Sequence, residues 1–243
     1  MRVIVYGGSG AWPAAGQACS GYLVELDGFR LLMDPGYAVT PLLDPLAVDA
    51  VFVSHGHPDH CADLNPLLRG RVLADSPPVP LPVYALPGAV DAVLALDGPR
   101  MMSGGCVVVD VSPGGSFGIG PFTATTRLLP HHVANVGIRL SGGGSSLAYT
   151  GDTGPSPEIV ALARGVDLLI AEATYPESVP DADAPYLSSA RQAGEHAGAA
   201  GVGSLMLTHL WPGTEPARAL AGAAASFAGP TSVARPGLSV TLT

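Results

Sequence analysis

The stretch DAVFVSHGHPDHCADL (49–64) places three histidines and an aspartate within six positions, directly after an apolar run. Imidazole and carboxylate groups are the usual ligands of catalytic zinc, which keeps a coordination position open for water. Side chains two residues apart on an extended strand end point the same way, so we expect His55 and His57 to converge on one metal ion. Asp59 and His60 follow the next turn and could serve a second ion. Each catalytic ion needs about three protein ligands, so further ligands must lie elsewhere in the chain.

Further candidate ligands stand at the ends of predicted strands. LLPHHVANVGIRL contains His131 beside His132, LAYTGDTG contains Asp152, and LMLTHLWPG contains His209. Taken singly, each has an ordinary explanation, because strand-end histidines are commonly surface residues and an Asp between glycines can satisfy turn backbone. Their combination with the HxHxDH cluster predicts one metal site where strand ends gather. His196 lies in a helical segment and is expected to be structural or solvated.

The composition limits the classes of partner. Eleven arginines, no lysine and twenty acidic residues give a formal charge of -9 over 243 residues. A chain without basic clusters is a poor partner for nucleic acid, whose binding rests on phosphate neutralisation, so we expect a small-molecule substrate. The three cysteines show no regular spacing that would indicate a disulfide framework or a cysteine-based zinc site.

No apolar run of about 18 residues and no signal-peptide pattern is evident, which predicts a cytoplasmic protein without a membrane partner. The sequence leaves open whether the protein forms a homodimer.

Strands dominate the start of each half of the predicted structure. The predicted strand segments are 2–6, a hairpin over 20–34 with a turn at Asp27-Gly28, 49–55, the start of 82–97, 106–111, 117–130, 136–152, 167–175, 204–210 and 231–242. The predicted helices are 61–75 with an interruption at Pro66, the end of 82–97, 156–164, 187–201 and 216–227. This order predicts an α/β protein with two sheets packed face to face and helices outside.

The motifs resemble the metallo-β-lactamase superfamily, in which HxHxDH opens a dinuclear zinc site. HHVANVGIRL, YTGDT and LMLTHL are similar to segments of the ribonuclease Z-like branch. GGSGAWP, SGYLVE, AEATY and ARPGLSV are similar to short, mostly actinobacterial proteins that resemble atypical cyclic-nucleotide phosphodiesterases. The resemblance implies one αββα domain over 1–243, with two similar halves of roughly 1–112 and 113–243.

The resemblance also implies a set of ligands for two Zn²⁺ ions, although sites of this type also take iron or manganese. The first ion would be held by His55, His57 and His131, and the second by Asp59, His60 and His209. Asp152 would bridge them. Asp59 and Asp152 would also orient a hydroxide made available near neutral pH by the two ions.

Two departures from the ribonuclease Z-like branch bear on the substrate. Only 21 positions separate His131 from Asp152, which leaves no room for the arm of transfer-RNA-processing members. Phosphodiesterases of the branch usually carry a histidine that assists the leaving group, where this chain has Leu187 beside Tyr186. This substitution counts against phosphodiester cleavage.

The leading hypothesis is a zinc-dependent hydrolase of a small phosphodiester or cyclic nucleotide. The first alternative is hydrolysis of a lactone, thioester or other acyl compound, in which the metal could stabilise the leaving group without the missing histidine. The second is a catalytically silent metal-binding scaffold. Three further roles are open: Glu172 could support a ligand histidine, Arg139 could offset substrate charge, and the GGSG loop could present N–H groups to an anion.

Overall fold

A computed structural model describes residues 1–98, 102 and 104–243, and the strands in this part of the chain form two sheets. The first sheet consists of β1 Arg2–Ser9, β2 Ala18–Cys19, β3 Gly21–Leu26, β4 Phe29–Met33, β5 Ala50–Val53, β6 Leu81–Ala85, β7 Cys106–Asp110 and β15 Ser239–Thr241. Its order is β15-β1-β3-β4-β5-β6-β7, with β2 beside β1. The sheet is mixed, because β3 and β4 pair antiparallel whereas β4, β5, β6 and β7 pair parallel.

The second sheet is also mixed and takes most of the second half of the chain. Its strands are β8 Ser116–Ile119, β9 Phe122–Leu129, β10 Asn135–Gly142, β11 Ser145–Tyr149, β12 Leu168–Glu172, β13 Ser204–Thr208 and β14 Thr231–Val233. They follow the order β14-β13-β12-β11-β10-β9-β8. The helices are α1 Pro58–Cys61, α2 Leu64–Val72, α3 Asp91–Leu94, α4 Pro157–Ala163, α5 Ala190–Ala200 and α6 Pro216–Ala224, with short 3₁₀ helices at Thr40–Leu42 and Pro45–Ala47.

Alternation of side chains along the strands builds the layers. In β5, Phe52 enters the core shared by both sheets, whereas its neighbours Val51 and Val53 face the cluster under α2. In β12, Ile170 enters the shared core and Leu169 packs under α4, α5 and α6. The predicted αββα sandwich of two mixed sheets with outer helices is therefore confirmed.

The interruption predicted at Pro66 is wrong in position. The chain breaks between α1 and α2, and Pro66 lies in the first turn of α2. Backbone N–H groups in a first helical turn have no intrahelical acceptor, so proline is tolerated there. Asp63 occupies the break, where its carboxylate accepts a hydrogen bond from the Thr40 N–H at 2.8 Å.

The last two strands belong to different sheets. β14 pairs parallel with β13 in the second sheet, and β15 pairs antiparallel with β1 in the first. That the halves 1–112 and 113–243 are similar, and that they form a single domain, remain predictions. Among the residues that the structure describes, none of the helices has both the length and the apolar character needed to cross a bilayer.

The ends of several strands meet at one edge of the sandwich. The carboxyl ends of β4 and β5 are adjacent in the first sheet, and those of β11, β12 and β13 are adjacent in the second. The sheets are tied together there, because the Val136 N–H donates to the Ser54 carbonyl at 3.0 Å. Loops leaving these strands are therefore brought close together across the two sheets.

Candidate metal centre

The HPDH turn converts the end of β5 into a short helix. β5 ends at Val53, and α1 starts with Pro58, whose fixed φ suits the first helical position. Gly56 passes so close to Ala89 that a Cβ on it would lie 2.7 Å from the Ala89 carbonyl oxygen. His55 and His60 are completely buried in this turn. The turn therefore packs tightly while it directs its polar side chains inward.

The first group of side chains consists of His55, His57, His131 and Asp152. His57 Nδ1 lies 3.2 Å from His55 Nε2 and 3.1 Å from His131 Nε2. Asp152 Oδ2 lies 3.8 Å from the Nε2 atoms of both His55 and His131. These four ligand atoms, contributed by both sheets, surround one point.

The second group consists of Asp59, His60, His209 and again Asp152. His209 Nε2 lies 3.1 Å from Asp59 Oδ2 and 3.1 Å from Asp152 Oδ2. His60 Nε2 lies 3.5 Å from Asp59 Oδ2 and 3.2 Å from Asp152 Oδ1. The structure thus brings together all seven residues singled out from the sequence, and Asp152 is shared by both groups. His196 and His132 belong to neither group.

The spacing and the chemistry of these atoms fit metal ions. Bond lengths of about 2.0–2.1 Å around a tetrahedral zinc put neighbouring ligand atoms roughly 3.3 Å apart. The buried atoms His60 Nε2 and Asp152 Oδ1 lie 3.2 Å apart, but neither makes a hydrogen bond of acceptable geometry. Buried polar atoms without partners are costly, and a cation between the ligands would satisfy both atoms.

Charge favours a cation at the same place. Burial lowers the pKa of His55, His57 and His131, so these imidazoles are neutral near pH 7 and keep a lone pair for a metal. Burial also opposes charge on His60 and His209, but Asp152 and Asp59 outweigh it and raise the pKa of both histidines. The second group therefore attracts positive charge.

A buried carboxylate that the sequence reasoning missed orients His60. Asp34 follows β4 and is fully buried. It accepts hydrogen bonds from His60 Nδ1, Ser54 Oγ and Tyr149 Oη at 2.7, 2.6 and 2.7 Å. The Ser54 N–H donates a fourth at 2.7 Å. Occupying Nδ1 of His60 turns its Nε2 toward the metal position and raises its basicity as a ligand. An Asp after the apolar run FRLLM was the only sequence signal.

His209 is oriented by the Thr174 hydroxyl, which in turn is hydrogen-bonded to the carboxyl group of Glu172. Thr174 Oγ1 lies 2.9 Å from His209 Nδ1 and donates to Glu172. Glu172 also accepts the Ser188 N–H at 2.6 Å, and burial raises its pKa to about 8. Glu172 thus supports a ligand histidine, as the sequence left open, but it does so indirectly through Thr174. The sequence reasoning missed Thr174.

Thr174→Val should weaken the second metal position without emptying the first. The change removes the hydroxyl that fixes His209 and keeps the size of the side chain. Loss of such a supporting contact typically costs 10–100-fold in metal affinity. Competition with a chromophoric chelator should show one of two ions bound about 10-fold more weakly, and Thr174→Ser should restore its affinity. Equal weakening of both ions would contradict this arrangement.

The structure shows what surrounds Arg139 and Leu187, two residues that the sequence analysis left open. Arg139 Nη1 donates a hydrogen bond to the Arg164 carbonyl at 2.7 Å. Arg139 therefore satisfies a backbone acceptor at the carboxyl end of α4. Leu187 is buried, and the preceding Tyr186 carbonyl lies 2.9 Å from His131 Nδ1. The segment where a histidine was expected therefore orients a ligand through its backbone.

The GGSG segment is not the loop predicted after the first strand, because β1 continues to Ser9, and the chain contacts the second group just beyond it. The Ala11 N–H donates to Asp59 Oδ2 at 2.9 Å, so it binds a ligand carboxylate of the protein. Gly10 passes His209 so closely that a Cβ on it would lie 2.5 Å from the His209 carbonyl oxygen. His209 has a φ of 59°, which is unfavourable for a residue other than glycine. Such strain persists where the surrounding structure enforces it, commonly at functional sites.

Gly36→Ala should disturb the second group by a steric route. A Cβ on Gly36 would lie 1.9 Å from the Asp59 carbonyl oxygen, so α1 would have to move. We expect a loss of about 1–3 kcal/mol in the free energy of unfolding together with weaker metal binding. Denaturant unfolding and metal analysis would measure both. The matched control is Gly118→Ala in β8, where a Cβ meets no atom within 4 Å. Equal behaviour of the two variants would refute the steric argument.

Comparison with known proteins gives consistent matches. A family profile described as "Beta-lactamase superfamily domain" matches residues 26–210. The chain is 31% identical over 217 residues to the probable metallo-hydrolase YhfI of Bacillus subtilis, covering 86% of this chain and 87% of the relative. It is 29% identical over 263 residues to a ribonuclease Z of Kineococcus radiotolerans, covering 86% and 83%. The crystal structure of YhfI superposes with a TM-score of 0.89 at 28% identity, covering 99% of each chain.

Proposed function

Because the chain belongs to the metallo-β-lactamase superfamily, we propose that it is a metallo-hydrolase that uses two zinc ions to cleave a small-molecule phosphodiester. A cyclic nucleotide is the first substrate class to test. The observation that carries the proposal is the pair of ligand groups sharing Asp152, whose ligand atoms all lie within 4.8 Å of one another within each group. Zinc is favoured by the imidazole and carboxylate ligands, with manganese and iron as the alternatives.

The residues of the chain position the reacting groups. When bound, two divalent ions supply hydroxide near neutral pH and neutralise charge on the substrate. Asp59 and Asp152 stay ionised, because neighbouring histidines outweigh the effect of burial and hold the pKa of both carboxyl groups well below its usual range. Ionised carboxylates can orient the attacking water by accepting hydrogen bonds from its O–H groups. Asp34 and Thr174 keep His60 and His209 aimed at the same centre.

A small substrate is favoured over RNA by the shape and charge of the chain. The likeness to a ribonuclease Z supports phosphodiester chemistry for this chain. Between His131 and Asp152, however, the chain forms the hairpin of β10 and β11. The formal charge of -9 opposes binding of a polyanion. The cytoplasmic location, the absence of nucleic-acid and membrane partners, and a homodimer stay predictions.

Acyl hydrolysis is the second candidate, and Leu187 is the observation that favours it. An apolar side chain replaces the histidine expected to assist a phosphodiester leaving group, and this side chain is buried. A lactone or thioester has less need of a separate proton donor when its leaving oxygen or sulfur is stabilised directly.

A substrate panel separates these candidates. The purified protein, with its metal content quantified, would be given cyclic nucleotides, bis(p-nitrophenyl) phosphate, lactones and thioesters. The proposal predicts turnover of phosphodiesters that is lost with a chelator and restored by zinc. Turnover of acyl substrates alone would favour the second candidate, and two bound ions without any turnover would favour a silent scaffold.

A further inference from the structure

The two tryptophans of the sequence follow segments that belong to or contact the second ligand group. Trp12 follows Ala11, whose N–H donates to the Asp59 carboxylate, and Trp211 stands two residues after His209. The two indole rings are 6.1 Å apart between centroids and are inclined by 44°. The ring of Tyr175 packs on Trp211, with 5.2 Å between the ring centroids. Together Trp12, Trp211 and Tyr175 form a cluster that we call the aromatic platform.

The platform is attached to the metal ligands through the backbone. Segment 9–12 runs beside segment 209–211, with the Gly10 N–H donating to the Leu210 carbonyl at 2.9 Å. Ser9 Oγ donates to the Trp12 carbonyl at 3.0 Å, and the Trp12 N–H donates to the Gly10 carbonyl at 2.7 Å. These bonds fix the tryptophan backbone relative to His209. Trp12 nevertheless leaves 48% of its surface exposed.

We propose that the aromatic platform stacks on a planar ring of the substrate, a nucleobase, while the scissile phosphate occupies the metal centre. This inference rests on the proposed function and adds the part of the substrate that is recognised. An exposed indole held in place loses little conformational freedom on binding and offers a large apolar face. Stacking tolerates any base, because each has a π-face, so the platform selects nucleotides as a class.

A second aromatic pair beside the first metal position is less suited to this role. His132 and Tyr186 lie only 4.4 Å apart between centroids, inclined by 34°, so each ring already covers one face of the other. Trp12 and Trp211 are farther apart and more steeply inclined. The indole of Trp12, which is about half exposed, is therefore the better receptor for a ring.

Tryptophan fluorescence tests the platform independently of turnover, because both fluorophores belong to it. Metal-loaded protein would be titrated with adenosine 5′-monophosphate and, separately, with ribose 5-phosphate, which lacks the base. We expect saturable quenching by the nucleotide and little change with the sugar phosphate. Trp12→Ala should weaken nucleotide binding, followed by calorimetry, about 10-fold or more, whereas Trp12→Phe should retain most of it.

Kinetics give a second readout. With cyclic AMP as substrate, Trp12→Ala should raise KM about 10-fold and leave kcat little changed, because the proposed stacking holds the base and not the reacting phosphate. Equal affinity for the two phosphates, or loss of nucleotide binding in Tyr186→Ala but not in Trp12→Ala, would overturn the platform. Absence of turnover of every phosphodiester in the panel, together with base-dependent binding, would instead refute the proposed function and leave the platform intact.

Discussion

Replacing Asp152 by Ala is expected to remove both metal ions and to lower hydrolysis by on the order of 10³-fold, since metal ions supply several kcal/mol of stabilisation in such reactions. Asp152 is the one residue present in both ligand groups. Its removal also leaves the buried histidines His55, His60 and His209 without their common carboxylate neighbour. Metal analysis by mass spectrometry, alongside the substrate assay, would measure both losses.

The matched control for this experiment is Asp110→Ala. Asp110 is an exposed carboxylate at the end of β7, remote in sequence from every ligand. This control variant should bind two ions and keep its activity. If Asp152→Ala also kept two ions, Asp152 would not be the shared ligand and the ligand assignment would be wrong.

Asp34→Ala is expected to have the largest effect on stability. The change leaves four buried donors, from His60, Tyr149 and Ser54, without their acceptor. Breaking a buried charged interaction of this kind costs about 3–5 kcal/mol. Urea unfolding of metal-free protein would measure the loss of free energy separately from metal binding. Metal affinity should fall as well, by about 10–100-fold, because His60 loses its orienting partner.

Tyr149→Phe is the graded comparison for Asp34→Ala. It removes one donor to the same carboxylate and should cost about 1.5 kcal/mol, with little effect on metal affinity. A smaller destabilisation in Asp34→Ala than in Tyr149→Phe would show that Asp34 does not organise this network.

The layers of the fold could be predicted from sequence because short continuous apolar runs indicate strands that are buried on both faces. Alternation around Phe52 and Ile170 places one side chain in the shared core and its neighbours under helices. The helix break near Pro66 was misplaced, since proline in a first helical turn and proline in a helix interior look alike in sequence. The separation of β14 and β15 into two sheets depends on packing between distant segments, which local patterns do not record.

The candidate ligands were predictable for a different reason from the residues that contact them. His55, His57, Asp59 and His60 form a dense motif, and this motif supports a metal-binding role for the strand-end residues His131, Asp152 and His209. Asp34 and Thr174 act only through tertiary contacts, and each resembles an ordinary strand-end residue in sequence. The role left open for Arg139 also depended on tertiary contacts, because its guanidinium binds the backbone carbonyls of Leu162 and Arg164.

Anomalous diffraction from crystals of the protein grown with zinc tests the central claim most directly. The account predicts two zinc peaks, one among His55, His57 and His131 and the other among Asp59, His60 and His209, with Asp152 in contact with both. A single peak, a peak without Asp152 among its ligands, or no peak at these side chains would contradict it.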